Sequence, residues 1–215
     1  MTGRVHPLAP VIGMDIDGTL GDWHRHFEWF LNQIYFPDRV HTASWRKGSE
    51  FSEALGMGKE DYRAAKLAYR QGGLKRCLPT FEIDRISGDD AVRDVIQGIR
   101  ASGVQVWIGT TRPWLSLTTV DPDTQYWLDR NVGRVDGLIY GEDKWADLLD
   151  IVGRDRILGV VDDLPENIIR ASELNLPAAI RRGPHNTSWI RNQLVPPMLF
   201  NKINELPYVV RGWTK

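Results

Sequence analysis

The chain has 215 residues, 42% of them hydrophobic and 26% charged, and 27 Lys and Arg against 28 Asp and Glu leave a net charge of −1. This profile excludes a disordered, collagen-like or coiled-coil chain and provides enough length for one core with a modest insertion. No apolar run approaches the roughly 18 residues of a membrane span, and near-neutral charge offers no general footprint for nucleic acid.

At the N-terminus, Arg4 and a few apolar residues precede Asp15 and Asp17, which interrupt the stretch before a signal-peptide core forms. Secretion is therefore not expected, and the single Cys77 permits no intramolecular disulfide. A cytoplasmic setting is the expectation. No Cys and His group at zinc-binding sequence spacing. The nine Trp read first as core and interface anchors.

The short apolar run after Pro10 predicts a buried strand over 11–15. From Asp22, Trp23, Phe27, Phe30, Leu31 and Ile34 recur at helical spacing until Pro37 stops the pattern. A second helix is predicted over 59–70, with Tyr62, Ala65 and Tyr69 on one face, and 41–58 between the two has no clear period. Ala91, Val92, Val95, Ile96 and Ile99 mark a further helix closed at Ser102-Gly103, where glycine accepts the left-handed cap conformation. A strand over 104–108 follows, then a loop holding Pro113 and Pro122, a helix over 124–131 and a strand over 137–140. The remainder alternates: helix 144–152, strand 157–161, helix 165–174 with proline in its first turn, and strand 177–180. Such alternation predicts parallel βαβ units in a doubly wound α/β sheet. The amphipathic stretch 198–206 offers a face to pack on the core or on a second copy of the chain, as a homodimer.

Residues 21–85 break the alternation and read as an insertion leaving the end of the first strand. Active sites in such sheets lie beyond the carboxyl ends of the strands, so the insertion is placed to overhang one as a cap. The expected division is a core of 1–20 and 86–215 with a helical cap of 21–85.

The first strand ends in Asp15-Ile16-Asp17-Gly18-Thr19. Residues two apart on a strand share a face, and two carboxylates so close repel unless a cation lies beside them. Gly18 allows a sharp turn and close approach of a ligand. Later ends contribute Thr110, Lys144 and Asp162-Asp163. Each has a plain structural alternative: a polar turn, a strand-end hydroxyl or a surface lysine.

In order and placement, these segments resemble the four motifs of the haloacid dehalogenase superfamily of aspartate-nucleophile phosphatases, over 11–180. The resemblance implies a Rossmann-like core with a small helical cap inserted after the first strand, and a Mg²⁺ ion held by Asp15, Asp17 through its backbone carbonyl, and Asp162 or Asp163. Asp15 is then the nucleophile that becomes phosphorylated, and Asp17 protonates the leaving alkoxide and later takes a proton from water. Lys144 neutralises charge and Thr110 binds a phosphoryl oxygen. Asp17 favours phosphoryl transfer over dehalogenation, because a halide leaves without a proton.

Within that superfamily the chain is similar to the 5'(3')-deoxyribonucleotidases, on the aromatic Trp23 six residues past Asp17, the small cap, and Gly141-Glu142-Asp143-Lys144. The similarity implies a small phosphorylated substrate, a nucleoside monophosphate, its base stacked on Trp23, with Trp45, Phe51 and Tyr62 able to join it; the plain alternative for all four aromatics is cap core. Thr111-Arg112-Pro113 departs from the Ser-Pro of that subgroup. Thr111 and Arg112 are expected at the substrate, Arg112 reaching a second anionic group or bracing its loop. His24, His26 and His41 are expected on the cap surface, and His185 in a loop over 181–188. A phosphatase for nucleic-acid 3' ends is the alternative enzyme. A silent binding module on the same fold is the alternative outside enzymes, and it predicts a missing carboxylate or lysine; none is missing.

Overall fold

The computed structural model describes residues 8–45, 50–81, 91–113, 115–195 and 197–214. Arg4 and the expected cap boundary at residue 85 lie outside them. Six parallel strands form one sheet in the order β3-β2-β1-β4-β5-β6, with β1 Val11–Met14, β2 Gln105–Thr110, β3 Gly137–Tyr140, β4 Ile157–Asp162, β5 Ala178–Arg181 and β6 Met198–Phe200. Consecutive elements alternate strand and helix from β2 to β5, which is the predicted doubly wound α/β architecture.

All four β1 residues are fully enclosed, as expected of a central parallel strand covered on both faces. Its alternation splits the core. Ile12 and Met14 face a cluster with Val106, Ile108 and Val161, covered by helices α4 Ala91–Ala101, α5 Val120–Asn131 and α9 Leu206–Trp213. Val11 faces the opposite cluster with Trp145, Leu148 and Val160, covered by α6 Lys144–Val152 and α7 Pro165–Glu173, while the short α8 Thr187–Arg191 packs Ile190 with Ile168 and Ile180. Gly13 sets how closely α6 lies on the sheet, since a Cβ there would stand 2.7 Å from Leu148 Cδ2 and 2.8 Å from Trp145 Cζ3. Any side chain at Gly13 would lift the helix that carries Lys144.

Between β1 and α4 the chain forms α1 Trp23–Phe30, which runs on into a π-turn Leu31–Tyr35, then α2 Phe51–Ala54, α3 Lys59–Gln71 and a 3-10 turn Leu74–Cys77. Asp22 caps α1 by accepting from Arg25 N. Phe27, Phe30, Leu31, Leu55, Ala65 and Tyr69 give these helices a hydrophobic cluster of their own.

Several predicted bounds shift, and the strand read over 104–108 runs Gln105–Thr110. Helix α5 begins at Val120 rather than 124, because Pro122 falls in the first turn, where its missing N–H has no partner to lose. The aperiodic 41–58 contains the one-turn α2. The amphipathic 198–206 divides into β6, a 3-10 turn Ile203–Glu205 and the start of α9; β6 pairs in parallel with β5, Ile180 against Leu199, while Ile203 and Leu206 join the core. Among the described residues no helix is long and apolar enough to cross a membrane.

Candidate active site

The sheet register assembles the site. Met14 pairs with Ile108 on one side and with Val161 on the other, so the ends of β1, β2 and β4 lie at one level and Asp15, Thr110 and Asp162 emerge together. Asp15 N also donates to Val161 O at 3.0 Å. Beyond Asp15 the chain doubles back: the amides of Thr19, Leu20 and Gly21 all point at Ile16 O, and Gly18 has φ +100°. A Cβ on Gly18 would stand 1.9 Å from Asp163 Oδ2. Glycine is thus required there twice, for the backbone and for the carboxylate beside it.

Asp15, Asp162 and Asp163 converge, each offering an oxygen within 4.8 Å of the others. Lys144, at the first position of α6 and 1% exposed, places Nζ 2.5 Å from Asp15 Oδ1 and 2.8 Å from Asp162 Oδ2. Burial would lower this ammonium, but Asp15 and Asp162 outweigh that and hold it above the ordinary lysine range. Burial, with Asp162, Asp163 and Asp17 adding to it, pushes the Asp15 carboxyl well up against the pull of Lys144. Asp162 is committed to structure: it accepts from Asp163 N at 2.9 Å, from Leu164 N at 3.0 Å and from Asn167 Nδ2 at 3.0 Å, ahead of α7. Three buried carboxylates against one ammonium leave negative charge in excess. That donor set of hard oxygens, converging within 4.8 Å of one another, fits a Mg²⁺ ion.

Asp17 stands apart from this trio. Arg112 grips it with two hydrogen bonds, Nε to Oδ2 at 3.1 Å and Nη2 to Oδ1 at 2.7 Å, and Lys75 Nζ approaches Oδ2 at 2.5 Å. Burial would raise the Asp17 carboxyl, but Arg112 and then Lys75 hold it far below the usual carboxylate range. Its side chain therefore does not join the three metal-facing carboxylates, and the backbone carbonyl is what Asp17 has left to offer an ion. Arg112, itself buried, also donates to Thr124 Oγ1 at 2.9 Å. It braces Asp17. Burial lowers Lys75 to about 7 despite Asp17 beside it. Thr110 is buried at the end of β2, whereas Thr111 is exposed.

Trp23 is packed among Phe27 (centroids 4.4 Å), Phe51 (5.5 Å) and a stacked Tyr69 (5.7 Å), with Lys75 Nζ 5.0 Å over its ring. It anchors α1 and the Lys75 turn together. Tyr62 also packs on Phe27 and Phe51. Trp45 lies stacked on Phe51 at 5.3 Å and reaches His185 at 5.6 Å.

Two residues escaped the sequence reading. His185 Nε2 lies 2.9 Å from Asp163 Oδ2. His24, expected on the surface, is half-buried with its ring 4.5 Å from that of His185. Burial, then His185 and Arg181, push His24 down to about 3. Lys75 escaped as well. His185 and Lys75 lie in no periodic or motif-like stretch, and His24 lies in the helical pattern of α1 without being one of its apolar positions, so no local signal marks them.

Among solved structures the chain aligns over 95% of its length, and 99% of the other chain, with a haloacid dehalogenase-like hydrolase from Streptococcus pneumoniae, at TM-score 0.62 and 14% identity. The fold is that of the haloacid dehalogenase-like hydrolases. A second such hydrolase, from Deinococcus radiodurans with bound phosphate and sodium, matches at TM-score 0.61 and 12% identity, over 97% of this chain and 98% of its own. CbbY from Rhodobacter sphaeroides, in complex with xylulose-1,5-bisphosphate, matches at TM-score 0.55 and 14% identity, over 92% and 96%. No protein-family model and no curated protein sequence matches the chain.

Proposed function

We propose that this protein is a magnesium-dependent phosphoric monoester hydrolase in which Asp15 is the nucleophile. The reading rests on one observation: Lys144 Nζ bridges Asp15 and Asp162 at the carboxyl end of the sheet, with Asp163 alongside. Magnesium, held by Asp15, Asp163 and the Asp17 carbonyl, would screen the phosphate and orient it. Lys144 holds one Asp15 oxygen and pulls against the burial that raises this carboxyl, leaving the other oxygen to attack phosphorus as the ester P–O bond breaks. Thr110 supplies a hydroxyl to a phosphoryl oxygen.

The leaving alkoxide needs a proton, and Asp17 alone is poorly suited to store one while Arg112 and Lys75 hold it ionised. The Lys75–Asp17 contact serves instead: Lys75 carries the proton near neutral pH and passes it through Asp17 to the alkoxide. The pair recovers it from the water that hydrolyses the aspartyl-phosphate.

We read residues 21–85 as the cap over a catalytic core of 1–20 and 86–215, since α1 to α3 share an aromatic cluster and deliver Lys75 to Asp17. For substrate we propose a small phosphorylated metabolite, in particular a nucleoside monophosphate. The Trp45–Phe51 stack beside His185 supports a base-stacking surface, with Trp45 in place of the cap anchor Trp23. The phosphate and the bisphosphate bound in two structural neighbours are consistent with the wider class.

Phosphate release from a panel of nucleoside and sugar monophosphates tests this. Activity is expected to vanish with a chelator, return with Mg²⁺, and be absent in Asp15→Asn. A Trp45→Ala variant should raise KM for nucleotides and leave sugar phosphates unchanged. An equal effect on both would reject the nucleotide, activity in Asp15→Asn would reject Asp15 as the nucleophile, and no phosphate release from any ester of the panel would reject the hydrolase reading itself.

A further inference from the structure

We propose that His24, His185 and Asp163 form a second metal site, for a transition-metal dication such as Zn²⁺, that ties helix α1 to the sheet. The two imidazoles come from segments 161 residues apart by number (185 − 24), yet their rings meet at 4.5 Å. One ligand atom from each of the three residues lies within 4.8 Å of the others. Asp163 is fully buried, and His185 Nδ1 is buried with no hydrogen-bond partner among the described residues.

The donor set is what distinguishes this site from the aspartate trio. Two imidazole nitrogens and one carboxylate suit zinc or a similar borderline ion, whereas all-oxygen ligation suits magnesium. The site is also prebuilt on its core side. Asn186 Nδ2 donates to Asp163 O and to Arg181 O, both at 2.7 Å, while Gly183 N donates to Asn186 Oδ1 at 2.9 Å, so the loop carrying His185 is stitched to Asp163. His24 projects from the first turn of α1, fixed by Asp22 behind it. Arg181, whose Nη1 bonds Gly18 O at 3.2 Å, works against any cation here. Weakly held hard ions are thereby disfavoured, and ions with strong bonds to nitrogen are selected.

Because Asp163 belongs to both groups, an ion held by the histidines draws that carboxylate away from the magnesium position and fastens α1 in place. Zinc is therefore expected to inhibit, but binding itself is independent of the proposed activity.

The test is calorimetric titration of the whole metal-free chain with ZnCl₂, paired with the visible spectrum of the Co²⁺ form. One strong site is expected, with an intense cobalt band of low-coordinate nitrogen ligation. His24→Ala and His185→Ala should each weaken zinc binding at least about ten-fold, and Asp15→Asn should leave it within about two-fold. Circular dichroism of the metal-free variants verifies folding; if His185→Ala does not fold, the surface-side His24→Ala alone carries the comparison. Unchanged affinity in folded His24→Ala, loss in Asp15→Asn, or an octahedral oxygen-type cobalt spectrum would overturn the proposal. Failure of the hydrolase reading would leave all of these results standing.

Discussion

Replacing Lys144 by Met removes the ammonium that lies 2.5 Å from Asp15, 2.8 Å from Asp162 and 4.8 Å from the Trp145 ring centre while keeping an unbranched apolar side chain in its place. Two buried carboxylates are left uncompensated. Breaking a buried pair in this way costs about 3–5 kcal/mol, which for a domain of this size lowers Tm by roughly 10 °C. The sign of the pH dependence follows from the direction of the Asp15 shift, which is upward. A carboxyl raised in the folded state holds its proton there more tightly than in the unfolded chain. Nothing is lost below the unfolded value near about pH 4, and stability falls as pH rises from there through the folded value. Lys144→Met drives Asp15 further up, so its deficit should be small in acid and grow toward neutrality. Urea unfolding across that range measures it. A deficit below about 1 kcal/mol at neutral pH, or one that shrinks as pH rises, would refute the reasoning.

Gly18→Ala must move either the loop or Asp163, because its Cβ would stand 1.9 Å from Asp163 Oδ2 at φ +100°. Restoring ordinary contact requires a shift of about 1.5 Å, and displacements near 1 Å cost on the order of 10²-fold in rate; wild-type phosphate release in this variant would contradict the assignment of Asp163. Away from the site, Arg100 grips Asp136 at 2.9 and 2.7 Å while Val106 N donates to the same carboxylate at 2.9 Å. Burial raises Asp136, but the Arg100 and Val106 hydrogen bonds outweigh it and lower the carboxyl. Its contribution is present above the unfolded value and is lost as pH falls through the lowered folded one. Asp136→Asn should therefore cost about 1–2 kcal/mol at neutral pH and nothing in strong acid, and an equal cost at both would remove the ion pair as the cause.

The parallel sheet and the convergence of Asp15, Thr110 and Asp162 at its edge were legible because both depend on local pattern. Apolar runs alternate with helical spacing, and the charged residues follow those runs directly, so knowing that strands run parallel suffices to bring Asp15, Thr110 and Asp162 to one edge. Partners delivered from elsewhere were not legible. Arg112 could be read as a substrate ligand or a brace, and only the fold brings it onto Asp17. Lys75 comes from an aperiodic turn, and His24 meets His185 across the molecule. Trp23, read either as a base-stacking ring or as cap core, packs in the aromatic cluster that its own helix builds with Tyr69. The stretch 198–206 hid β6 because three residues are too few to establish a strand period.

The central claim is that Asp15 is transiently phosphorylated. Acid-quenched single turnovers with Mg²⁺ and a reactive phosphate monoester, followed by peptide mass spectrometry, test it directly. The account predicts one added phosphoryl group on the peptide bearing Asp15, labile to base and absent from Asp15→Asn. Phosphate release at the full rate with that peptide never modified, or with the label on another residue, would contradict it.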